Sequence, residues 1–203
     1  MDKNRRDPEF ENPLNQDFWN DRWENQQTGW DIGYASPAIV EYMKHYPNKD
    51  AAILIPGCGN AYEAESLIEM GFTNITVMDI ADKAVERLIE KFRFTDRIQI
   101  LCEDFFQHQG KYDLILEQTF FCAHLPERRE ELAQKFASLL NDNGQMVGLL
   151  FSREFEKQGP PFGGLREDYI PLFETYFSEV IMEECYNSIP PRAGSEVFVR
   201  MRK

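Results

Sequence analysis

The sequence predicts an α/β protein: one doubly wound, mostly parallel sheet that ends in an antiparallel strand pair, preceded by an N-terminal helical arm. Three observations predict it. From Ala52 onward, short apolar runs alternate with helical stretches of roughly ten to fifteen residues. The first run, Ile53-Leu54-Ile55, passes directly into a glycine-rich turn, Pro56-Gly57-Cys58-Gly59. The last two runs are joined through Ile189-Pro190-Pro191 with no helix between them, which suggests a pair at the sheet edge.

Each element follows from local chemistry. Residues 1 to 17 are polar and broken by Pro8 and Pro13, and read as an arm that orders only against the body or a ligand. Phe18 to Trp30 is aromatic and charged, helical at first. Ser36-Pro37 has the N-cap and N1 character of a helix start, continued by Ile39, Val40, Tyr42 and Met43. Pro47 to Asp50 is a turn, Ala52 to Ile55 a strand, and Ala61 to Met70 a helix stopped at Gly71. Ile75 to Met78 is the second strand. Asp82 is expected to cap a helix running to about Phe92, with Val85, Leu88, Ile89 and Phe92 on one face. Ile98 to Leu101 and Tyr112 to Leu116 are strands. Pro126 to Leu140 is a helix with Asn141-Asp142-Asn143-Gly144 as its stop, and Gln145 to Phe151 is a fifth strand. Gly159 to Gly164 is a loop, Glu167 to Glu174 a short helix, and Ser178 to Tyr186 and Glu196 to Met201 the final strands. No repeat or internal boundary divides the chain. Residues 1–35 are read as an arm or lid and residues 36–203 as the body of one domain.

Composition excludes several classes. A formal charge of −13 opposes a phosphate backbone or an anionic membrane surface. No apolar run reaches the ~20 residues a bilayer-spanning helix needs, and the charged N-terminus has no signal-peptide core behind it. Cys58, Cys102, Cys122 and Cys185 form no CxxC pair, and read as reduced, partly buried thiols of a cytoplasmic protein. No metal site is expected. The expected assembly is a monomer or weak homodimer.

The glycine turn and Asp79, twenty positions after Gly59 at the end of the second apolar run, form a strand–turn–helix–strand unit ending in a carboxylate. That geometry brings bare backbone against a nucleoside and sets an acceptor against its ribose hydroxyls. The turn alone suits NAD, FAD and S-adenosylmethionine equally. Three features favour the last. The third glycine of GxGxxG is replaced by Tyr62, which a phosphate-free cofactor tolerates. Asp104 and Phe105 follow the third strand, where they can accept from an adenine amino group and cover its ring. The late antiparallel pair is a methyltransferase habit. Asp79 also has a plainer reading, as a helix N-cap or strand-end residue, and Asp104 one as an ordinary acid at a turn.

Further residues carry a resemblance. Asp17-Phe18-Trp19-Asn20-Asp21-Arg22-Trp23 through Thr28-Gly29-Trp30-Asp31-Ile32-Gly33, with its three tryptophans, resembles the opening of the thiopurine S-methyltransferase superfamily. So do Ile55-Pro56-Gly57-Cys58-Gly59, Tyr112-Asp113-Leu114-Ile115, Thr119-Phe120-Phe121-Cys122-Ala123 and Gly159-Pro160-Pro161-Phe162. The chain looks most like the halide/thiol methyltransferase branch. The resemblance runs in order from about Phe18 onward. It implies the seven-stranded, Rossmann-like class I methyltransferase fold and S-adenosylmethionine as donor, with S-adenosylhomocysteine as product. It implies that Trp19, Trp23 and Trp30 line or lid the cofactor pocket and that Gly57 lies under the methionine part. Asp79 would hold the ribose, and Asp104 with Phe105 the adenine, with Gly59, Ile80 and Gln118 also in the cofactor set. Trp30, Phe121 and Phe162 would position the reactants. One departure stands out: the branch often has Asp-Tyr before the Phe-Phe element, and here the pair is Glu117-Gln118.

The expected reaction is in-line displacement at a sulfonium methyl by a small soft nucleophile, a thiol first and a halide or thiocyanate second. Such an acceptor needs desolvation and alignment more than a general base. No Ser-His-Asp or Cys-His grouping is evident, and His45, His108 and His124 read as surface or helix-start residues. The proposed arm could fold over the site and exclude water. On spacing alone, Trp19 and Trp23 at i, i+4 suit helix-face packing. Phe120, Phe121 and Phe162 suit core packing as well as an acceptor wall. An oxygen or nitrogen acceptor would need a base, with Glu117, Asp31 or Tyr34 the places to look. Further alternatives are a non-catalytic binding protein and an NAD-dependent oxidoreductase.

Overall fold

Strand β1 (Ile53–Pro56) is buried at all four positions, as a strand covered on both faces must be. It lies inside a sheet completed by β2 (Ile75–Asp79), β3 (Ile98–Cys102), β4 (Tyr112–Gln118), β5 (Leu140–Phe151), β6 (Glu179–Glu184) and β7 (Glu196–Arg202), with β2 and β4 as its neighbours. The strand order is β3-β2-β1-β4-β5-β7-β6. The first five strands pair in parallel, and β7 runs antiparallel between β5 and β6. The expected seven-stranded, doubly wound sheet is therefore present, with its late strands at one edge. The computed structural model describes residues 14–157 and 159–203. The expectation of an arm over residues 1–13 lies outside them.

Helices α2 (Pro37–Lys44), α3 (Tyr62–Glu69) and α4 (Asp82–Lys91) cover one face, packing Ile39, Met43, Leu67 and Leu88 onto Ile53, Ile55 and Leu114. Helices α5 (Arg129–Leu139) and α6 (Arg166–Glu174) cover the other, with Leu132, Phe136, Tyr169 and Phe173 against Leu54, Ile115 and Val199. Helix α1 (Gln16–Glu24) starts under the side chain of Asn15, which accepts from the Phe18 amide at 3.1 Å. Among the described residues no helix is long and apolar enough to cross a membrane.

Three local expectations are corrected. Asp82 is the first residue of α4 and not its cap; Ala81 holds the cap position, fixed by its amide donating to Asp79 Oδ1 at 2.9 Å. Ile89 is 57% exposed, because one residue beyond the buried Leu88 turns the side chain about 100° round the helix. Asn141 to Gly144 is no helix stop. Leu140 already pairs with Tyr112, and the segment is an irregular part of β5 before regular pairing resumes at Leu114 and Gln145. Asn141 donates to Asp113 Oδ1 at 2.7 Å, and Asn143 takes the left-handed conformation (φ 62°) that asparagine tolerates. Ser36 stands at the N-cap of α2 as read, yet its side chain makes no cap bond; its amide donates to the buried Glu63 at 2.9 Å.

Candidate active site

Strands β1 to β3 step outward on one side of β1, whereas β4 lies on the other. The chain thus leaves a crevice at the carboxyl ends of β1 and β4, the place where open α/β sheets bind ligands. The glycine turn closes its floor. Gly57 (φ +56°) and Gly59 (φ +52°) both take left-handed backbone that a side chain would strain. A methyl on Gly57 would run into the Phe120 ring, so the bare turn and Phe120 are mutually fitted. The Gly59 amide donates to Asp79 Oδ2 at 3.0 Å, which ties the turn to the end of β2.

Asp79 is 8% exposed, and burial raises its carboxyl above the ordinary value. Each of its oxygens accepts one backbone amide, from Gly59 and from Ala81. A carboxylate offers about four acceptor sites, so capacity remains for hydroxyl donors on the cavity side.

The cover comes from the segment before the sheet. Trp30 stacks edge-on to Trp19 (5.5 Å between centroids) and to Trp23 (5.9 Å). Trp23 is 4% exposed and packs on Ala81 and Ala84 of the α4 start while also lining the cavity, so it serves both roles weighed from the sequence. Asp31 pins this segment to the glycine turn by accepting from Asn60 (2.6 Å) and Tyr62 (3.3 Å). Arg192, from the β6–β7 link, donates to the Trp30 carbonyl at 3.1 Å and pairs with the buried Glu196 at 3.4 Å.

Between floor and cover lies a cavity of about 790 Å³. The structure brings Trp19, Trp23, Trp30, Gly57, Gly59, Asp79, Ile80, Asp104 and Phe105 together in its wall. It places three expected residues elsewhere. Phe121 is 1% exposed and packs against Tyr169 and Phe173, because its 3₁₀ turn (Phe121–Ala123) aims it into the core. Phe162 is half-buried outside the lining, its amide donating to the Cys122 carbonyl at 2.7 Å. Gln118, the last residue of β4, is also outside it.

Sequence reading missed much of the far wall: Phe151, Arg153, Phe155, Lys157, Arg192 and Ser195. The available signal was their place after β5 and before β7, at the carboxyl edge of the sheet. The acidic lining residues, Asp79, Glu103 and Asp104, all follow β2 and β3. Basic ones stand on both sides: Arg22 and Arg128 (over the Phe106 ring) near the acids, and Arg153, Lys157 and Arg192 on the β5–β7 side.

The histidines divide. His45 is exposed, as read. His108 is buried, hydrogen-bonded to Glu103 (2.6 Å) and Tyr112 (2.8 Å). His124 lines the cavity, and burial pushes it down to about 4, so it is neutral at physiological pH and a weak base. Its Nδ1 must carry the proton, because it meets the Phe120 carbonyl at 2.9 Å. None of the other candidate bases reaches the cavity. Asp31 is engaged as described, Tyr34 is exposed, and Glu117 is fully buried. Among the described residues no group of His, Cys, Asp and Glu could hold a metal ion.

Comparison with known proteins bears on the same geometry. A family described as thiopurine S-methyltransferase (TPMT) matches residues 14–197. A probable thiol methyltransferase 2 of Arabidopsis thaliana is 31% identical over 194 residues, covering 91% of this chain and 84% of the relative. Thiocyanate methyltransferase 1 of the same plant is 28% identical over 194 residues, with the same coverage. A Burkholderia thailandensis 1,6-didemethyltoxoflavin-N1-methyltransferase structure superposes with a TM-score of 0.74 at 14% identity, covering 100% of this chain and 93% of that one. At that identity the likeness shows the fold alone.

Proposed function

The chain belongs to the thiopurine S-methyltransferase family and is an S-adenosylmethionine-dependent methyltransferase, and from that premise we propose that its acceptor is a small, soft, anionic nucleophile. Thiolates come first, and halide or thiocyanate second.

The donor fits the residues present. A side chain on Gly57 would fill the floor, and Asp79 keeps acceptor capacity for the ribose hydroxyls. Asp104 and Phe105 would hold the adenine, with Ile80 beside the ribose. When bound, S-adenosylmethionine supplies a methyl group on a sulfonium, open to in-line displacement. Trp19, Trp23 and Trp30 would shelter that cation from water, each favourable indole contact contributing roughly 0.5–2 kcal/mol. The segment carrying them would act as the lid, fastened through Asp31 and Arg192.

One observation carries the acceptor class: the β5–β7 side of the cavity combines Phe151, Phe155, Pro160 and Pro161 with Arg153, Lys157 and Arg192, with no carboxylate among the described residues that line it. In a chain of formal charge −13, a local basic and aromatic wall favours an anion stripped of water. The lining base, His124, is too weak to deprotonate a phenol or an ammonium group efficiently.

The test is a methyl-transfer screen against hydrogen sulfide, small thiols, thiopurines, iodide, thiocyanate, phenols and amines over a pH range. The expected outcome is transfer to sulfur or halide acceptors, with thiol rates tracking the thiolate fraction. Preferential methylation of phenols or amines would overturn the assignment.

A further inference from the structure

Glu117 is an acid where the sheet pattern calls for an apolar residue. It follows Leu114-Ile115-Leu116 in β4 and is completely enclosed. Burying a carboxyl there costs several kcal/mol unless it makes good hydrogen bonds. Its Oε1 makes two, accepting from the Phe120 amide (2.9 Å) and the Phe121 amide (2.8 Å). These amides open the 3₁₀ turn and would otherwise be unsatisfied. Oε2 has no hydrogen-bond partner among the described residues.

The neighbouring strand makes room for this acid. On β5, Gly148 pairs with Glu117, and a methyl group there would strike the Glu117 backbone and Cβ. The turn that Glu117 holds is itself strained, because Thr119 takes a left-handed conformation (φ 59°). Thr119, Phe120, Cys122, Ala123 and His124 all line the cavity. A continuous path therefore runs from the Glu117 carboxyl to two amides, to the Phe120 ring, and to the Gly57 turn beneath it.

We propose that Glu117 is a positioning residue for methyl transfer: its carboxyl sets the 119–124 turn and, through it, the placement of Thr119 and Phe120 between the glycine floor and the acceptor side of the cavity. The proposal rests on reading this cavity as the site of transfer. Glu117 touches neither reactant and acts only through the turn. Charged and titratable groups bear on it from three elements, Glu196 on β7, Cys122 in the turn and Tyr169 on α6, and Arg192 of the β6–β7 link acts on Cys122 and pairs with Glu196. Arg129 of α5 stands over the Tyr169 and Phe121 rings behind it.

The experiment compares Glu117→Gln and Glu117→Leu with the wild type. Glutamine keeps an acceptor for the two amides; leucine removes it. The expected result for E117L is a fall in kcat of about tenfold or more, the scale set by misplacing reactants by a fraction of an ångström, with S-adenosylhomocysteine affinity within about threefold. E117Q should stay within about threefold on both. Equal losses in the two variants, or E117L with wild-type kcat, would overturn the proposal. Amide hydrogen exchange gives a readout that needs neither turnover nor a folded E117L. Phe120 and Phe121 should be protected in the wild type and E117Q. Exchange at the rate of exposed loop amides would refute the role. A wild type that methylates nothing would count against the acceptor class and leave the exchange result to decide this inference.

Discussion

Replacing Gly57 with alanine tests the floor of the cavity most directly. Left-handed backbone at φ +56° costs a residue with a Cβ about 1–2 kcal/mol. The new methyl also meets the Phe120 ring, which has little freedom to withdraw. It is buried, 5.0 Å from the Phe105 ring and 4.5 Å from the His124 ring between centroids. Overpacking of this kind adds about 1–3 kcal/mol. The total of roughly 2–5 kcal/mol corresponds to a fall in Tm of about 5–20 °C for a chain of this size. Because the displaced ring and the turn both line the cavity, affinity for S-adenosylhomocysteine should fall at least about tenfold, the equivalent of ~1.4 kcal/mol. Differential scanning calorimetry and isothermal titration calorimetry read the two effects. Gly29→Ala, where the added methyl meets nothing within 4 Å, is the control for stability and should move Tm by less than about 2 °C. A G57A protein that melts with the wild type and binds the product normally would falsify the account of the turn.

Three further outcomes follow from the same geometry. Asp79→Asn leaves one of the amides of Gly59 and Ala81 facing an NH₂ group; stability should drop by ~1–3 kcal/mol and S-adenosylhomocysteine affinity more than tenfold, measured by thermal shift and titration calorimetry. Trp23→Ala removes a buried indole shared by the α4 contact and the cavity, so a loss of about 3–5 kcal/mol should accompany weakened cofactor binding; a stable variant with normal affinity would contradict its double role. Burial raises the Glu117 carboxyl to about 7, so the folded protein holds a proton that the unfolded chain releases near the ordinary value of 4.5. Its contribution is complete below about pH 4.5 and is lost as pH rises to about 7. Relative to E117Q, the wild type should lose on the order of 3 kcal/mol across that window, and parallel curves of Tm against pH would contradict it.

The sheet and the floor of the site were legible because they rest on local patterns. Apolar runs between helical stretches announce a parallel sheet, and the spacing from Gly59 to Asp79 is the length of one strand–helix–strand unit. Helix ends were less legible where a side chain outside the helix decided them. The Asp79 carboxylate, and not that of Asp82, fixes the cap residue Ala81 before α4, and Asp113 reaches the segment that looked like the stop of α5. The acceptor side was the least legible. Phe120 and Phe121 are adjacent identical residues that both pack in the core, yet only Phe120 of the two also lines the cavity, and nothing local to the pair distinguishes them. Arg192 lies 162 positions from Trp30, so no local pattern could place it beneath the tryptophan cover. His108 is buried by two partners, one of which, Tyr112, belongs to a strand.

The position of β7 bears on how the chain reaches this state. It follows the other six strands of this sheet in chain order, yet it is threaded between two earlier ones. Until residues 196–202 exist, β5 and β6 each present an unsatisfied row of amides and carbonyls to any passing chain. Synthesis halted before Glu196 would therefore yield an adhesive fragment, and the vulnerable interval lasts until that ribbon slots home.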